Sequence, residues 1–169
     1  MPSRALPTSL YTLLFFVLIA ANISVYRTIF APHVLLVSIL EVGKGHAAFV
    51  RSPSGKIILI DTGPDASILR ALGEALPMWR RRIDAVILTG TKISLVGGLP
   101  EVESRYHIST LMHIGDAVAP YGAPLMFDSS RIEIIAPATF KISYGATTFN
   151  ISSSTPPGAY VSDGKTIMH

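Results

Sequence analysis

The chain contains no cysteine and has few charged residues. None of its 169 residues is Cys, and only 15% of them are Asp, Glu, Lys or Arg. The absence of Cys excludes a disulfide framework and any site built on thiolates. With 49% hydrophobic residues, the chain is too apolar for a disordered protein, and its length predicts one globular domain.

Charge is also absent near the N-terminus, between Ala5 and Tyr26, where the run LYTLLFFVLIAA lies. A stretch of about 20 apolar residues spans a bilayer as a helix. A cleaved secretory signal is the alternative, because Arg4 precedes the apolar run. The run is long for a signal, however, and no clear small-x-small cleavage site follows it before Arg27. We therefore predict that residues 1–33 form a single-pass membrane anchor followed by the spacer YRTIFAPH.

Metal ligands are missing where the neighbouring motifs suggest them. The stretch TGTKISLVGGL, residues 89–99, follows the buried-strand pattern IDAVIL and contains no strong metal ligand. The segment LEVGKGHAAFVRSPSGKIILIDTGP, residues 40–64, precedes it, and PEVESRYHI follows. This order resembles the start of the metallo-β-lactamase-like domain at the C-terminal end of the bacterial competence protein ComEC. In that family the first strand ends in DVGQGD, the third in a DTG turn, and the fourth runs into the metal loop THPDADHIGGL.

The resemblance places the family's metal loop on this chain without a gap. Its opening Thr falls on Thr89, and its closing Gly-Gly-Leu falls on Gly97, Gly98 and Leu99. Its four ligand positions are occupied here by Gly90, Lys92, Ser94 and Leu95. Gly and Leu offer no lone pair, a charged Lys offers only donors, and Ser is a poor Zn ligand compared with His or a carboxylate. We therefore predict that the family's divalent metal is lost and that no cofactor is bound.

The DTG turn is retained as Asp61, Thr62 and Gly63. In the family this Asp braces the metal loop through hydrogen bonds, and here we predict a structural role in which it caps the turn and the loop at Thr89. If its carboxylate is buried, Lys92 is a candidate counter-ion.

The remaining polar residues do not form a recognisable site. His46 takes the position of an acidic residue that faces the active site in the family, but a metal role would need partners that the sequence does not supply. The other histidines lack ligand spacing, and three aspartates beside Gly or Pro are predicted to lie in turns: His33, His107, His113, His169, Asp65, Asp116 and Asp163. The family's metal-bridging Asp aligns with Ser154, and the Ser run that contains it lacks a nucleophile-elbow pattern.

Positive charge is concentrated at Arg80, Arg81 and Arg82, just after Trp79. With a net charge of +3 and a pI near 9.3, this cluster is a candidate contact for DNA, because basic patches attract polyanions. The alternative is that the three arginines are solvated in a connection between a helix and a strand. No DNA-binding helix motif accompanies them.

Hydrophobic periodicity and turn signals predict an α/β (α+β) fold. Two helices are predicted at residues 66–76 and 99–106, and strands at 34–42, 46–52, 56–61, 83–88, 108–114, 131–135, 140–144 and 147–151. This layout is one β-rich layer flanked by two helices, and it suits a partial metallo-β-lactamase-like αββα sandwich behind one N-terminal transmembrane helix. The predicted domain spans residues 34–155, and residues 156–169 are predicted to be an irregular tail.

The function that follows from the resemblance is that of a membrane-anchored, catalytically inactive relative of ComEC with a binding or structural role. The family places this domain outside the cytoplasmic membrane, and a ComEC-like channel protein or DNA would be its partner. One alternative is a weak metal-dependent hydrolase or nuclease with an unconventional site at His46 and Asp61. Another is a decayed gene fragment without a selected role. The sequence does not decide between the first and the last of these hypotheses.

Overall fold

The structure is a computed structural model that describes residues 8–29, 34–115 and 119–168. The chain divides into two units, Met1–Pro32 and His33–His169. In the first unit, helix α1 spans Thr8–Ile29. Among the described residues, no helix is both long and apolar enough to cross a membrane, so the predicted transmembrane helix is not supported. Part of the predicted spacer and three residues discussed above, His33, Asp116 and His169, lie outside the described residues.

The second unit alternates strands with three short helices. The helices are α2 (Ser67–Ala75), α3 (Ile93–Val96) and α4 (Leu99–Arg105). The strands are β1 (Leu35–Ile39), β2 (Ala48–Arg51), β3 (Ile57–Ile60), β4 (Arg82–Ile83), β5 (Ala85–Leu88), β6 (His107–Ile108), β7 (Leu111–His113), β8 (Pro124–Phe127), β9 (Ser130–Ala136), β10 (Thr139–Tyr144), β11 (Thr147–Ile151), β12 (Gly158–Ser162) and β13 (Ile167–Met168).

The larger sheet has the strand order β13-β12-β1-β2-β3-β5-β7. Strands β3, β5 and β7 run parallel, and the other neighbours are antiparallel. The sequences IILI of β3 and AVIL of β5 are buried at every position, as expected for parallel strands that are covered on both faces. The short strands β4 and β6 form a separate parallel pair.

The second sheet is antiparallel, with the order β11-β10-β9-β8. Its strands alternate, so that Ile132, Ile134, Phe140 and Ile142 point inward and are buried. This alternation is typical of a sheet with one face on the core and the other in water.

Two hydrophobic clusters define the layers. The first lies between the sheets and joins side chains such as Val50 and Ile60 of the larger sheet to Ile134 and Phe149 of the second. The second covers the opposite face of the larger sheet, where α2 and α4 pack. In the described residues the layers are therefore helices, sheet and sheet.

The mixed α/β class is confirmed, but two parts of the sequence interpretation differ from the structure. The sequence predicted one β-rich layer, whereas strands β8 to β11 form a second sheet. The predicted irregular tail contains β12 and β13, and β12 pairs with β1 along five residues, from Leu35 opposite Ser162 to Ile39 opposite Gly158. Strand β12 was not predicted because much of its side-chain surface is exposed, so its sequence lacks the apolar pattern of a buried strand. Its backbone pairs with the outer edge of β1.

Candidate functional site

The candidate site lies at the carboxyl ends of β3 and β5. The strands are adjacent and in register, with Ile60 opposite Ile87. Asp61 follows β3 and Thr89 follows shortly after β5, so the topology brings them together. Asp61 has a φ of 58°, in the left-handed region that Asp tolerates better than most residues.

Asp61 is bonded at both carboxylate oxygens by one residue. The backbone N–H of Thr89 donates to Oδ1 at 2.7 Å, and its hydroxyl donates to Oδ2 at 2.6 Å. The Asp61 N–H in turn donates to the carbonyl of Ile87 at 2.8 Å. The carboxylate is therefore used within the fold to hold the chain where it leaves β5.

Thr89 extends this network to the second sheet. Its Oγ1 accepts a hydrogen bond from the N–H of Ala138 at 2.8 Å, in the turn between β9 and β10. Its carbonyl accepts one from the hydroxyl of Tyr121 at 2.7 Å. We call Asp61, Thr89, Tyr121 and Ala138 the Asp61 hub. The hub joins the ends of β3 and β5 in the larger sheet to two segments of the second sheet, the loop before β8 and the turn between β9 and β10.

Burial is the largest influence on the ionisation of Asp61. It raises the pKa of this carboxyl to about 6, because removal from water disfavours the charged form. The two hydrogen bonds from Thr89 lower the pKa, as does the electrostatic interaction with His113. Lys92 does not supply the predicted counter-ion: it is exposed at the N-terminus of α3, and Thr89 satisfies the carboxylate instead.

The DTG turn and the loop after Thr89 pack together through their backbones. The N–H and hydroxyl of Thr62 donate to the carbonyl of Leu95 at 2.7 and 3.2 Å, and the N–H of Gly98 donates to the carbonyl of Gly63 at 3.0 Å. A Cβ on Gly97 would lie 2.1 Å from the Pro64 carbonyl oxygen. The Gly-Gly pair therefore lets the two segments approach closely through their backbone atoms.

The positions aligned with the family's ligands do not converge on an ion. Leu95 is buried, whereas Lys92 is exposed. A Cβ on Gly90 would lie 3.0 Å from Cδ1 of Leu95, so the leucine already occupies the space beside Gly90. Ser154, aligned with the bridging Asp, is exposed and bonds the hydroxyl of Ser152 at 2.9 Å.

His46 and Asp61 do line one cavity, together with residues such as Phe140 and Ser152. Its volume is about 20 Å³, which accommodates about one water molecule. In the part of the chain that the structure describes, no group of three or more His, Cys, Asp or Glu side chains could hold a metal. The donor set of the described residues therefore does not fit the dinuclear centre of the resembled family, because both oxygens of Asp61 already accept hydrogen bonds from Thr89.

The arginine cluster lies at the other end of the larger sheet, where β3 and β5 begin. Arg80 donates to the carbonyl of Gly55 at 3.1 Å and to Asp84 at 3.2 Å. Arg82 is 3.7 Å from Asp84. Arg81 is exposed. The arginines are thus separate from the Asp61 hub, and Asp84 offsets part of their charge.

Sequence reasoning missed Tyr121 and Ala138 as partners of Thr89. They lie 32 and 49 positions along the chain from Thr89, and no motif links them to it. Of the three aspartates predicted in turns, the two that the structure describes make turn hydrogen bonds: Asp65 accepts from the N–H of Ser67, and Asp163 accepts from the N–H groups of Lys165 and Thr166. These bonds lower the pKa of both carboxyls.

No protein-family model matches the chain, and neither does any curated protein. Among solved structures, it is similar to a diphosphatase of the PhnP family, with 14% identity and a TM-score of 0.45 over 68% of this chain and 63% of that one. It is also similar to a metallo-β-lactamase with a HARLDQ motif from Cronobacter sakazakii, with 16% identity and a TM-score of 0.44 over 63% of this chain and 49% of that one. A mutant of the HARLDQ motif in the enzyme from the same organism has 17% identity to this chain and a TM-score of 0.43, over 67% of this chain and 57% of that one.

This chain thus spans about half to two thirds of the length of the metallo-β-lactamase-fold proteins that it resembles. At these identities and TM-scores, the likeness assigns neither a family nor an activity to it.

Proposed function

We propose that this chain carries a catalytically inactive metallo-β-lactamase-like domain, in which the Asp61 hub holds the two sheets together at the place where the resembled family binds metal. The observation that carries the proposal is the double hydrogen bond from Thr89 to Asp61. A carboxylate that accepts two such bonds within the fold is a structural anchor. The role of the domain is then binding or structural.

The packing of the loop supports the proposal. Leu95 fills the space beside Gly90, and the cavity shared by His46 and Asp61 has room for about one water molecule. A phosphodiester substrate is many times larger than this cavity. Hydrolysis at this place would require both a rearranged loop and new ligands.

Three further parts of the proposal rest on the sequence motifs. They are a relationship to ComEC, a position at the cell membrane with the domain outside the cytoplasm, and a channel protein or DNA as partner. Fractionation of cells that express the full chain tests the location. Recovery of the chain in the soluble fraction would contradict the membrane location. Binding to labelled single- and double-stranded DNA tests the partner, and absence of binding would contradict DNA as that partner.

The non-enzyme proposal is tested by metal analysis combined with an activity assay. We expect full-length protein purified without chelators to contain well below stoichiometric Zn or Mn. We also expect it to leave bis(p-nitrophenyl) phosphate and DNA intact when either metal is added. Stoichiometric metal together with metal-dependent cleavage would overturn the proposal.

A weak hydrolase is the second candidate, because His46 and Asp61 face the same cavity. If cleavage is observed, His46→Ala and Asp61→Asn separate this candidate from a contaminating enzyme. Loss of cleavage in both variants, with their folding checked by circular dichroism, would assign the activity to this site. Cleavage that persists at the original rate would assign it to a contaminant.

A further inference from the structure

The turn after α2 presents two large apolar side chains to solvent. Met78 is 88% exposed and Trp79 is 84% exposed, and these are the highest values among the large hydrophobic residues that the structure describes. The turn is closed by a hydrogen bond of 2.9 Å from the N–H of Arg80 to the carbonyl of Pro77. Side chains of this size are normally placed where they bury area, so their exposure here needs a reason.

Hydrogen bonds of Arg80 hold the turn against the larger sheet. The guanidinium of Arg80 donates to the carbonyls of Gly55 and Arg82 and to the carboxylate of Asp84. Asp84 in turn accepts a hydrogen bond of 2.8 Å from the N–H of Ile57, at the start of β3. These bonds connect the turn to the end of the larger sheet where β3 begins.

Positive charge lies beside Met78. Arg81 and Arg105 line a pocket of about 150 Å³ with Met78, and both arginines are exposed. Within the described residues, neither guanidinium has a hydrogen-bond or ion-pair partner. His107 is close by, and Glu103 is the one carboxylate in the same group of residues. We call Met78, Trp79, Arg81 and Arg105 the Trp79 tip.

We propose that the Trp79 tip is a peripheral docking surface for membranes that contain anionic lipids. Trp is enriched at the level of lipid head groups, where one side of the ring is apolar and the other is wet. Basic side chains beside it are attracted by anionic head groups, at about 1 kcal/mol for each Lys or Arg near the surface. With arginines beside its apolar residues, the tip can place Met78 and Trp79 in the interface and the guanidinium groups of Arg81 and Arg105 at the lipid phosphates.

Single-stranded nucleic acid is the other polyanion that Trp and Arg bind. Such sites combine a basic groove with several aromatic side chains on which successive bases stack. Trp79 is the only Trp of the chain, and the tip is a projection. The arrangement therefore favours a lipid surface. It is separate from the Asp61 hub, which lies at the opposite end of the strands, and it does not depend on the proposed function.

The single Trp makes the proposal testable with the full chain. Trp79 emission is followed during titration with vesicles of phosphatidylcholine mixed with phosphatidylglycerol, and with vesicles of phosphatidylcholine alone. We expect a blue shift, and quenching by brominated lipid, on the anionic vesicles only. Met78→Ser keeps the reporter and should weaken the quenching.

Paired charge variants test the role of the arginines. In Arg81→Ser/Arg105→Ser, the vesicle concentration for half-maximal quenching should rise roughly fivefold for each Arg removed, which corresponds to about 1 kcal/mol each. Lys44→Ser/Lys92→Ser removes the same charge from exposed positions at the other end of the sheet, and it should leave the titration unchanged.

Three results would overturn the proposal. Trp79 emission that stays unshifted on vesicles to which the protein sediments would show that another part of the chain attaches it. Equal shifts on neutral and anionic vesicles would remove the role of the arginines. Quenching by an oligonucleotide without any response to vesicles would assign the tip to nucleic acid.

Discussion

At the scale of single residues, the Asp61 hub combines a sequence motif with contacts that only the fold provides. The DTG motif and the Thr that opens the loop are both visible in the sequence, and they meet because β3 and β5 are parallel neighbours. The other two members of the hub come from the loop before β8 and from the turn between β9 and β10. The network is therefore as much a clamp between sheets as a turn cap.

Thr89→Val tests this clamp. It removes the hydroxyl that donates to Asp61 and accepts from Ala138, and it leaves two buried polar groups without a partner. We expect a loss of about 3 kcal/mol in the free energy of unfolding, since each unsatisfied buried group costs about 1–3 kcal/mol. Urea denaturation measures it. Thr148→Val, on the outer face of the second sheet, should change stability by no more than about 0.5 kcal/mol, and an equal effect of the two substitutions would contradict the clamp.

The ionisation of Asp61 predicts a pH dependence. Its pKa is about 6 in the folded chain and about 3.9 in an unfolded chain. Between these values the folded state binds more protons, so the stability due to this group is fully present below about pH 4 and is lost as pH rises through 6. The loss corresponds to about 3 kcal/mol.

Asp61→Asn isolates this effect from the titration of other groups. The stability of the unmodified protein relative to that of the Asn variant should fall by about 2 kcal/mol between pH 4 and pH 7, as measured by urea denaturation at each pH. A difference that stays constant across this range would show that the carboxyl is already ionised in the folded state at pH 4.

At the scale of elements, the Gly-Gly pair shows why a motif can outlast its chemistry. Gly97 and Gly98 are needed because backbone atoms of the DTG turn lie against them, with the carbonyl oxygen of Thr62 only 2.5 Å from a Cβ placed on Gly98. This constraint remains whether or not a metal is bound. The frame of the loop is therefore fixed by backbone packing that does not depend on which residues occupy the aligned ligand positions.

Two Gly→Ala substitutions compare Gly97, which packs against backbone atoms, with Gly73, which has no atom in the way of an added Cβ. Gly97→Ala would push a Cβ against the Pro64 carbonyl, and we expect it to destabilise the domain by about 1–3 kcal/mol. Gly73→Ala lies within α2 and meets nothing within 4 Å, so it should stabilise by about 0.5–1 kcal/mol. Thermal unfolding measures both. A neutral Gly97→Ala would mean that the two segments are not in close contact.

Prediction from the sequence worked best where one segment determines its own structure. The buried runs of β3 and β5, the amphipathic α2 and the turn aspartates follow from local patterns. It failed where long-range pairing decides the outcome. Strand β12 pairs with β1 more than a hundred residues away, and the polar run before it reads as a loop. The contact between Asp61 and Thr89 follows the predicted cap of the loop, whereas the predicted counter-ion Lys92 is exposed.

At the scale of the whole molecule, the second sheet indicates which surfaces the domain presents to water. Its outward positions are mostly polar, and Arg131 and Glu133 lie 3.9 Å apart there. Lys141 sits opposite both Glu133 and Asn150 on the same face. A sheet face that is covered by helices is normally apolar. These polar positions suit the outward face of the sheet to contact with water.

The last prediction concerns reconstruction of the metal site. In Gly90→His/Lys92→Asp/Ser94→Asp/Leu95→His, the new imidazole at position 90 would lie beside the new side chain at position 95, because a Cβ on Gly90 lies 3.0 Å from Cδ1 of the present Leu95. We expect weak binding of Zn or Mn, detected by calorimetry, at a cost in stability of about 2–5 kcal/mol from the loss of the buried Leu95.

We expect no cleavage of DNA by this four-fold variant. A two-metal mechanism needs both ions held around the attacking and leaving oxygens, whereas the residue aligned with the bridging Asp is the exposed Ser154 and the nearest carboxylate, Asp61, is bonded by Thr89. Leu95→His alone is the control, with no metal binding expected. Metal-dependent cleavage by the four-fold variant would show that Asp61 leaves Thr89 to bind the ion, and the proposed structural role of the hub would then be wrong.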